Sequence, residues 1–412
     1  MDEIKLCNVS ECTGCKACFN VCPKAAITML KDAYQQIYPS IDRNKCVKCG
    51  LCLRTCPELN NVSLSEPIKV YAAWSNDKKE RATSASGGIA AELYKLFVDK
   101  KGYFTGVQFN DDFYAFQDLY SDLKEVSNLK NSKYVYSDMK EIYIKIKKVL
   151  NEKQKVLFVG TPCQCAAIKN FIPVNLQSSL YLVDLICHGM SPATYLKEHI
   201  SALEKKFNDK ADKVYFRDPI TYTYTYTFTL LNKLGKRFYS KKVYRNDVYQ
   251  LGYHGKLIYN EHCYSCRYAK FNRCTDLTIG DFSGLGKEAP IAYDGHNVSC
   301  ILVNTEKGNR LINELTFENR ISVDERPSKE AYNYEHQLKE PSFPHAGRKR
   351  FLEQYIIKGY EKAARDVLKK EILNNELRAF FHVQEIRKII VMLIPKKLKK
   401  ILKEILIKQN EG

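Results

Sequence analysis

What is missing from this 412-residue chain narrows the field before its motifs do. No G-x-G-x-x-G follows a strand-like run, so a Rossmann dinucleotide site is not supported. The opening MDEIKLCNVS is acidic and lacks the apolar stretch of a secretory leader, which points to a cytoplasmic chain and away from disulfide staples. Near the other end the longest uncharged run, IIVMLIP (389–395), is too short to cross a bilayer. The formal charge of +18 invites a nucleic-acid reading, yet the lysines are scattered and the 28 tyrosines form no basic–aromatic module. A solvated, lysine-rich surface explains the charge better, and no nucleic acid is expected as a partner.

What is abundant is cysteine, 16 in all. Reduced thiols in such number point to metal ligation. The first 60 residues hold an internal repeat, CTGCKACFNVCP (12–23) and CVKCGLCLRTCP (46–57), both of the form C-x2-C-x2-C-x3-C-P. Three closely spaced thiolates wrap one face of a four-iron cube, and the fourth, before Pro, reaches the other cube. Cys12, Cys15, Cys18 and Cys56 are therefore expected to hold one [4Fe-4S] cluster, and Cys46, Cys49, Cys52 and Cys22 the second. Zinc competes poorly, since it usually takes two separated pairs. Cys7 lies outside the repeat and is expected to pack.

NNVSLSEP (60–67) reads as a linker of turn formers. Beyond it, strand-like runs at 68–74, 103–109, 113–120, 156–160 and 180–186 alternate with helix-like runs at 87–100, 138–150, 163–171 and 192–207. That pattern predicts one large α/β or α+β domain. TYTYTYTFT (221–229) alternates throughout and is read as a strand, threonines on one face and aromatics on the other. CYSC (263–266) supplies two thiols of a further metal group. Cys163, Cys165, Cys187, Cys274 and Cys300 are available to complete it, and spacing alone leaves both the choice and a structural zinc open.

Six short motifs follow the doubled cluster motif in order: SASGG (84–88), SKYVYS (132–137), GTPCQ (160–164), DLICHG (184–189), CYSCRYA (263–269) and DLTIGDF (276–282). The chain thereby resembles the coenzyme F-420 hydrogenase/dehydrogenase beta-subunit family, in its bacterial form with a fused dicluster ferredoxin. The resemblance runs to PSFPHAGRKRF (341–351). It implies a dicluster ferredoxin module over 1–62, a large mixed α/β flavin-binding domain over 68–350 and a basic helical tail over 351–412. It also implies a flavin and iron–sulfur oxidoreductase with FAD and a third [4Fe-4S] cluster on Cys163, Cys187, Cys263 and Cys266, leaving Cys165 and Cys274 to pack. A helix N-terminus at the GTPC turn suits a thiolate ligand. The chain departs from the family in having DFSG (281–284) for DFWG and CHGMSP (187–192) for CHGVPSP.

For the flavin, Ser84, Ser86, Gly87 and Gly88 open a helix whose N-terminus suits a pyrophosphate, or serve only as a plain cap. Thr161 joins them. Lys133 either pairs a phosphate or is solvated; Asp281 either bonds the flavin edge or caps a turn. His188 either donates a proton or bonds its own loop. No catalytic residue is assigned. The expected activity passes electrons among the clusters, FAD and a hydride-exchanging substrate, in some members within surface-polysaccharide pathways; the rival is an electron-relay subunit with no substrate of its own. A redox protein or small hydride donor or acceptor is the expected partner. At the C-terminus LKKILKEILI (398–407) sets Leu398, Ile401, Leu402, Ile405 and Leu406 on one helical face, for docking on protein or for peripheral contact with an anionic membrane.

Overall fold

The structure, a computed structural model, describes residues 4–381. The stretch 386–412, with the expected amphipathic helix, lies outside the described residues. Within them, no helix is long and apolar enough to cross a membrane.

Residues 4–60 form a small module with an internal two-fold likeness. Each cysteine run curls through two left-handed residues, Gly14 and Lys16 in the first, Lys48 and Gly50 in the second, before a short helix at Ala17–Val21 or Leu51–Thr55. One of the two positions in each run is glycine, which adopts that conformation without a Cβ penalty. Such curls turn successive N–H groups inward and make a concavity that suits an anion. Antiparallel strands β1 (Ile27–Lys31) and β2 (Ile37–Ile41) close the module, joined through a turn in which Asp32 accepts from the N–H groups of Tyr34 and Gln36.

The linker ends in an isolated bridge between Ser65 and Arg273, and the chain then enters the main domain. Its strands in chain order are β3 (Lys69–Ser75), β4 (Tyr103–Phe109), β5 (Ala115–Tyr120), β6 (Ser137–Asp138), β7 (Val156–Gly160), β8 (Leu180–Leu185), β9 (Lys213–Tyr215), β10 (Thr227–Leu231), β11 (Arg237–Lys242), β12 (Leu277–Asp281), β13 (Ser299–Val303) and β14 (Ile321–Glu325). Among the described residues nine of these make one sheet in the order β14-β3-β13-β12-β8-β7-β4-β5-β6; β9, β10 and β11 make a separate antiparallel sheet. The centre, β4-β7-β8-β12, is parallel; β13, β3 and β14 on one side and β5 on the other join antiparallel, and the short β6 pairs parallel with β5 at the edge.

The parallel centre reads as unbroken apolar sequence because both faces are covered. Leu157 and Val159 of β7 pack on one side with the helices Ile89–Asp99 and Glu306–Phe317. Val156 and Phe158 pack on the other with Ile142–Asn151 and Pro162–Phe171. Full burial of each such side chain contributes about 1.5–3 kcal/mol. Ligands of parallel sheets gather beyond the carboxyl ends of the strands. Here register pairs Gly160 of β7 with Asp184 of β8, and Cys163 and Cys187 each follow three residues later.

Two expectations change. The run 221–229 is not one strand: two 3-10 turns occupy 219–221 and 223–225, and β10 starts only at Thr227. Asp218 accepts from the Ile220 N–H and pairs with Arg237, while Tyr222 and Tyr226 take positive φ, so tertiary pairing overrides the alternation. The tail boundary at 351 also falls inside packed structure. Phe351, Tyr360, Ala363 and Ala364 are fully buried in the core that holds Tyr195 and Tyr249, and Glu361 bonds the buried His199, which bonds Asp247 in turn.

Candidate functional site

In the N-terminal module Cys12, Cys15, Cys18 and Cys56 line one small pocket. Cys7, expected merely to pack, is on its wall: a hydrogen bond with Cys12 pushes its thiol up to about 12, although Cys56 pulls the other way. Cys46, Cys49 and Cys52 lie within mutual electrostatic reach, and Cys22 packs in the same small core as Cys46 and Cys52. Cys49 is exposed, so this second group faces outward. Backbone N–H groups already donate to sulfur, Gly14 to Cys12 Sγ at 3.4 Å and Ala26 to Cys22 Sγ at 3.3 Å.

The main domain brings together Cys163, Cys187, Cys263 and Cys266. Burial first, and then the charges of Cys266, Cys187 and Cys263, push the Cys163 thiol well up, and together they outweigh the expected benefit of the helix N-terminus. Metal binding, which removes the thiol proton outright, would reverse such a bias. Thr161 Oγ1 lies 3.2 Å from Cys163 Sγ, and the Met190 N–H donates to Cys263 Sγ at 3.4 Å, as in the ferredoxin module. Cys165 instead turns into the sheet, its thiol donating to the Val183 carbonyl at 3.6 Å. Cys274 packs beside Cys163, and Cys300 is buried in a different core, on β13. Among the described residues no three such groups converge closely enough for a single metal ion. A four-iron cube, being larger, asks for a wider set of thiols.

The two regions are joined by side chains that sequence reasoning missed. Tyr136 donates to the Gly14 carbonyl and Tyr143 to the Cys15 carbonyl, each at 2.7 Å. Tyr136 also feels the charges of Cys15, Cys12 and Cys163, so it stands between the two thiol groups. His262 Nε2 is 3.3 Å from Cys263 Sγ, and the same ring bonds the Cys12 backbone; burial holds its pKa down at about 4. Tyr268 donates to the Pro57 carbonyl at 3.0 Å, next to Cys56. The Cys12/Cys15/Cys18/Cys56 group is thus the inner one, and Cys46/Cys49/Cys52 the outer.

Beside the third thiol group a cavity of about 530 Å³ opens at the carboxyl ends of the parallel strands. Ser84, Ser86, Gly88, Lys133, Thr161 and Asp281 all line it, as does Cys187. The volume lies within the usual range for a small-molecule or cofactor site. Gly88 starts the helix Ile89–Asp99, and the first helical residues border the cavity with N–H groups that have no intrahelical acceptor. Gly87 is different: its N–H donates to Ser299 Oγ and its carbonyl accepts from Ser75, so it is tied into the sheet. Lys133 places Nζ on the carbonyls of Leu129 and Lys130, capping a short helix, and burial lowers its pKa to about 8.

Asp281 neither caps a turn nor stands free. Arg217 grips it through Nη2 at 2.5 Å and Nη1 at 3.2 Å, and also donates to Tyr134 Oη and the Ala85 carbonyl. The guanidinium lies 4.3 Å from the Tyr226 ring centre, which together with Tyr224 lines the cavity. The tyrosines misread as a strand face thus become cavity wall. His188 also lines it, half-exposed, 3.7 Å from Glu335, while its backbone carbonyl accepts from Ser342. His254, which the sequence did not single out, sits on the same wall and is held neutral by burial, its pKa down at about 4.

Comparison with known proteins agrees with this division. Residues 11–60 match the 4Fe-4S dicluster domain, and residues 153–329 match the model described as the C terminus of the coenzyme F420 hydrogenase/dehydrogenase beta subunit. A curated relative, the F subunit of the F(420)H(2) dehydrogenase of Methanosarcina mazei, is 24% identical over 186 residues, 43% of this chain and 53% of its own. The chain spans about half the length of that relative. A chain in the solved structure "Xenon derivatization of the F420-reducing [NiFe] hydrogenase complex from Methanosarcina barkeri" aligns at 16% identity with a TM-score of 0.44, over 77% of this chain and 94% of that one. The chain is thus related to hydrogenase/dehydrogenase redox subunits. Residues 11–60 carry a 4Fe-4S dicluster domain, and residues 153–329 carry the C-terminal domain of the coenzyme F420 hydrogenase/dehydrogenase beta subunit.

Proposed function

We propose that the chain is a flavin- and iron–sulfur-dependent oxidoreductase that moves electrons between its outer thiol groups and a hydride-exchanging substrate at the cavity. One observation carries this reading: Cys187 belongs to the four gathered thiols and also lines the cavity that collects six of the seven residues expected to hold FAD. When bound, clusters supply single electrons and a flavin converts them to a hydride pair.

The residues would divide the work as follows. Cys46, Cys49, Cys52 and Cys22 hold the outward cluster, and the inner set, Cys12, Cys15, Cys18 and Cys56, holds the next. Tyr136, Tyr268 and His262 keep that inner set against Cys163, Cys187, Cys263 and Cys266, which hold the third. The N-terminus of Ile89–Asp99 with Ser84, Ser86 and Gly88 faces the phosphates. Asp281, steered by Arg217 and Tyr226, faces the polar edge of the ring, and Thr161 and Lys133 complete the wall. Gly87 supports that wall from within the sheet instead of touching the cofactor.

The test is iron, sulfide and flavin analysis of the anaerobically purified chain. Roughly twelve irons, four per cube, and one flavin are expected. About eight irons with no flavin would leave only an electron relay and sink the enzyme reading.

A further inference from the structure

Arg273 is the least satisfied charged residue of the third thiol site. Its side chain is 2% exposed, and among the described residues its one side-chain partner is Asp184, which is fully buried, with Nη1 and Oδ2 3.5 Å apart. Nε and Nη2 meet no hydrogen-bond acceptor among the described residues. The residue cannot drift out to water, because its N–H and carbonyl are both bonded to Ser65 at 2.9 Å, where the linker joins the main domain. A buried cation with two idle donors is costly unless something else occupies them. Two of the site's own thiols lie within its electrostatic reach: the Arg273 charge favours the thiolates of Cys187 and Cys266 against the burial that disfavours them.

The proposed third cluster would bring what Arg273 lacks, sulfur acceptors and negative charge. Hydrogen bonds to sulfur, net charge and solvent exposure are what the protein uses to set such a cluster's potential. We infer that Arg273 is the positioning residue that sets the potential of the third site, donating Nε–H and Nη2–H to the cluster's sulfur atoms, with Asp184 holding the guanidinium in place. The inference rests on the third-cluster reading above. It assigns a role to a residue that neither binds the metal nor lines the cavity.

The test is a redox titration of the third cluster followed by its paramagnetic signal, in the full chain, for wild type, Arg273→Gln, Arg273→Lys and Asp184→Asn. Loss of the cation in Arg273→Gln should lower the midpoint potential by about a decade in the one-electron equilibrium, ~59 mV. Arg273→Lys keeps the charge and should fall between that variant and wild type. Asp184→Asn removes a negative charge and should move the potential the opposite way. If the Gln variant fails to hold its cluster, the Lys and Asn variants still give opposed shifts. A potential that stays put in these variants while thermal stability falls would make Arg273 a structural residue and overturn the inference alone. Absence of any third-cluster signal in wild type would overturn the third-cluster reading and the inference with it.

Discussion

The molecule gathers thiols in two ways. In the N-terminal module each set of three comes from a single curl of chain, Cys12 to Cys18 or Cys46 to Cys52, with the fourth borrowed from the other curl. The main domain builds its set from three remote segments: the first turn of the helix Pro162–Phe171 after β7, the loop after β8, and the 3-10 turn Glu261–Ser265 with Cys266 just past it. The first set depends on local backbone, down to the left-handed residues Gly14, Lys16, Lys48 and Gly50. The second depends on the sheet being folded and in register. A local site survives wherever its curl survives, whereas a long-range site fails with the domain.

The strongest way to break that contrast is through His199, whose bonding partners are carboxylates. It is fully buried between Asp247 and Glu361, at 3.0 and 2.8 Å, and ties the C-terminal helices to the core. Burial alone would lower its pKa, but the two carboxylates outweigh this and raise it to about 9. A raised folded-state pKa gives stability that is fully present below the unfolded value near 6.5 and lost as pH rises through about 9. His199→Gln should cost about 3–5 kcal/mol, the usual effect of breaking a buried ion pair, and should flatten the loss of stability between pH 7 and 10. Urea unfolding at both pH values measures this; an unchanged slope in the variant would refute it. In wild type the same alkaline shift should weaken the long-range thiol site before the local ones, as read from their separate paramagnetic signals.

Next in size is Cys163→Ser, expected to remove about a third of the iron while the two ferredoxin signals persist. Loss of all three signals would mean that the inner cluster needs the third site for support, through Tyr136 or His262. Cys49→Ser should abolish only the outer cluster, and because Cys49 is exposed the melting temperature should stay within a degree or two. Smallest of all is Cys165→Ser, which keeps a donor for the Val183 carbonyl and should retain all three signals. Equal cluster loss from the replacements at 163 and 165 would point to a shared C-x-C site and erase the contrast drawn above.

The sequence by itself was enough for whatever depends on near neighbours. The doubled C-x2-C-x2-C-x3-C-P run announced the dicluster domain, and apolar runs such as VLFVG announced strands, because spacing and burial on both faces act over a few residues. Cys7 escaped because only the folded curl brings it against Cys12 and Cys56. The alternation of TYTYTYTFT misled because Asp218, Arg237 and a positive φ at Tyr226 outrank local pattern. Arg217, His254, His262 and Arg273 carried no motif, since a side chain's importance there lies in partners 50 or more residues away or in partners it lacks. Which cysteines join Cys163, and which tyrosines wall the cavity, was decided by the parallel register of β7 and β8 and by the packing around their carboxyl ends. Only a folded sheet sets distances between residues so far apart along the chain.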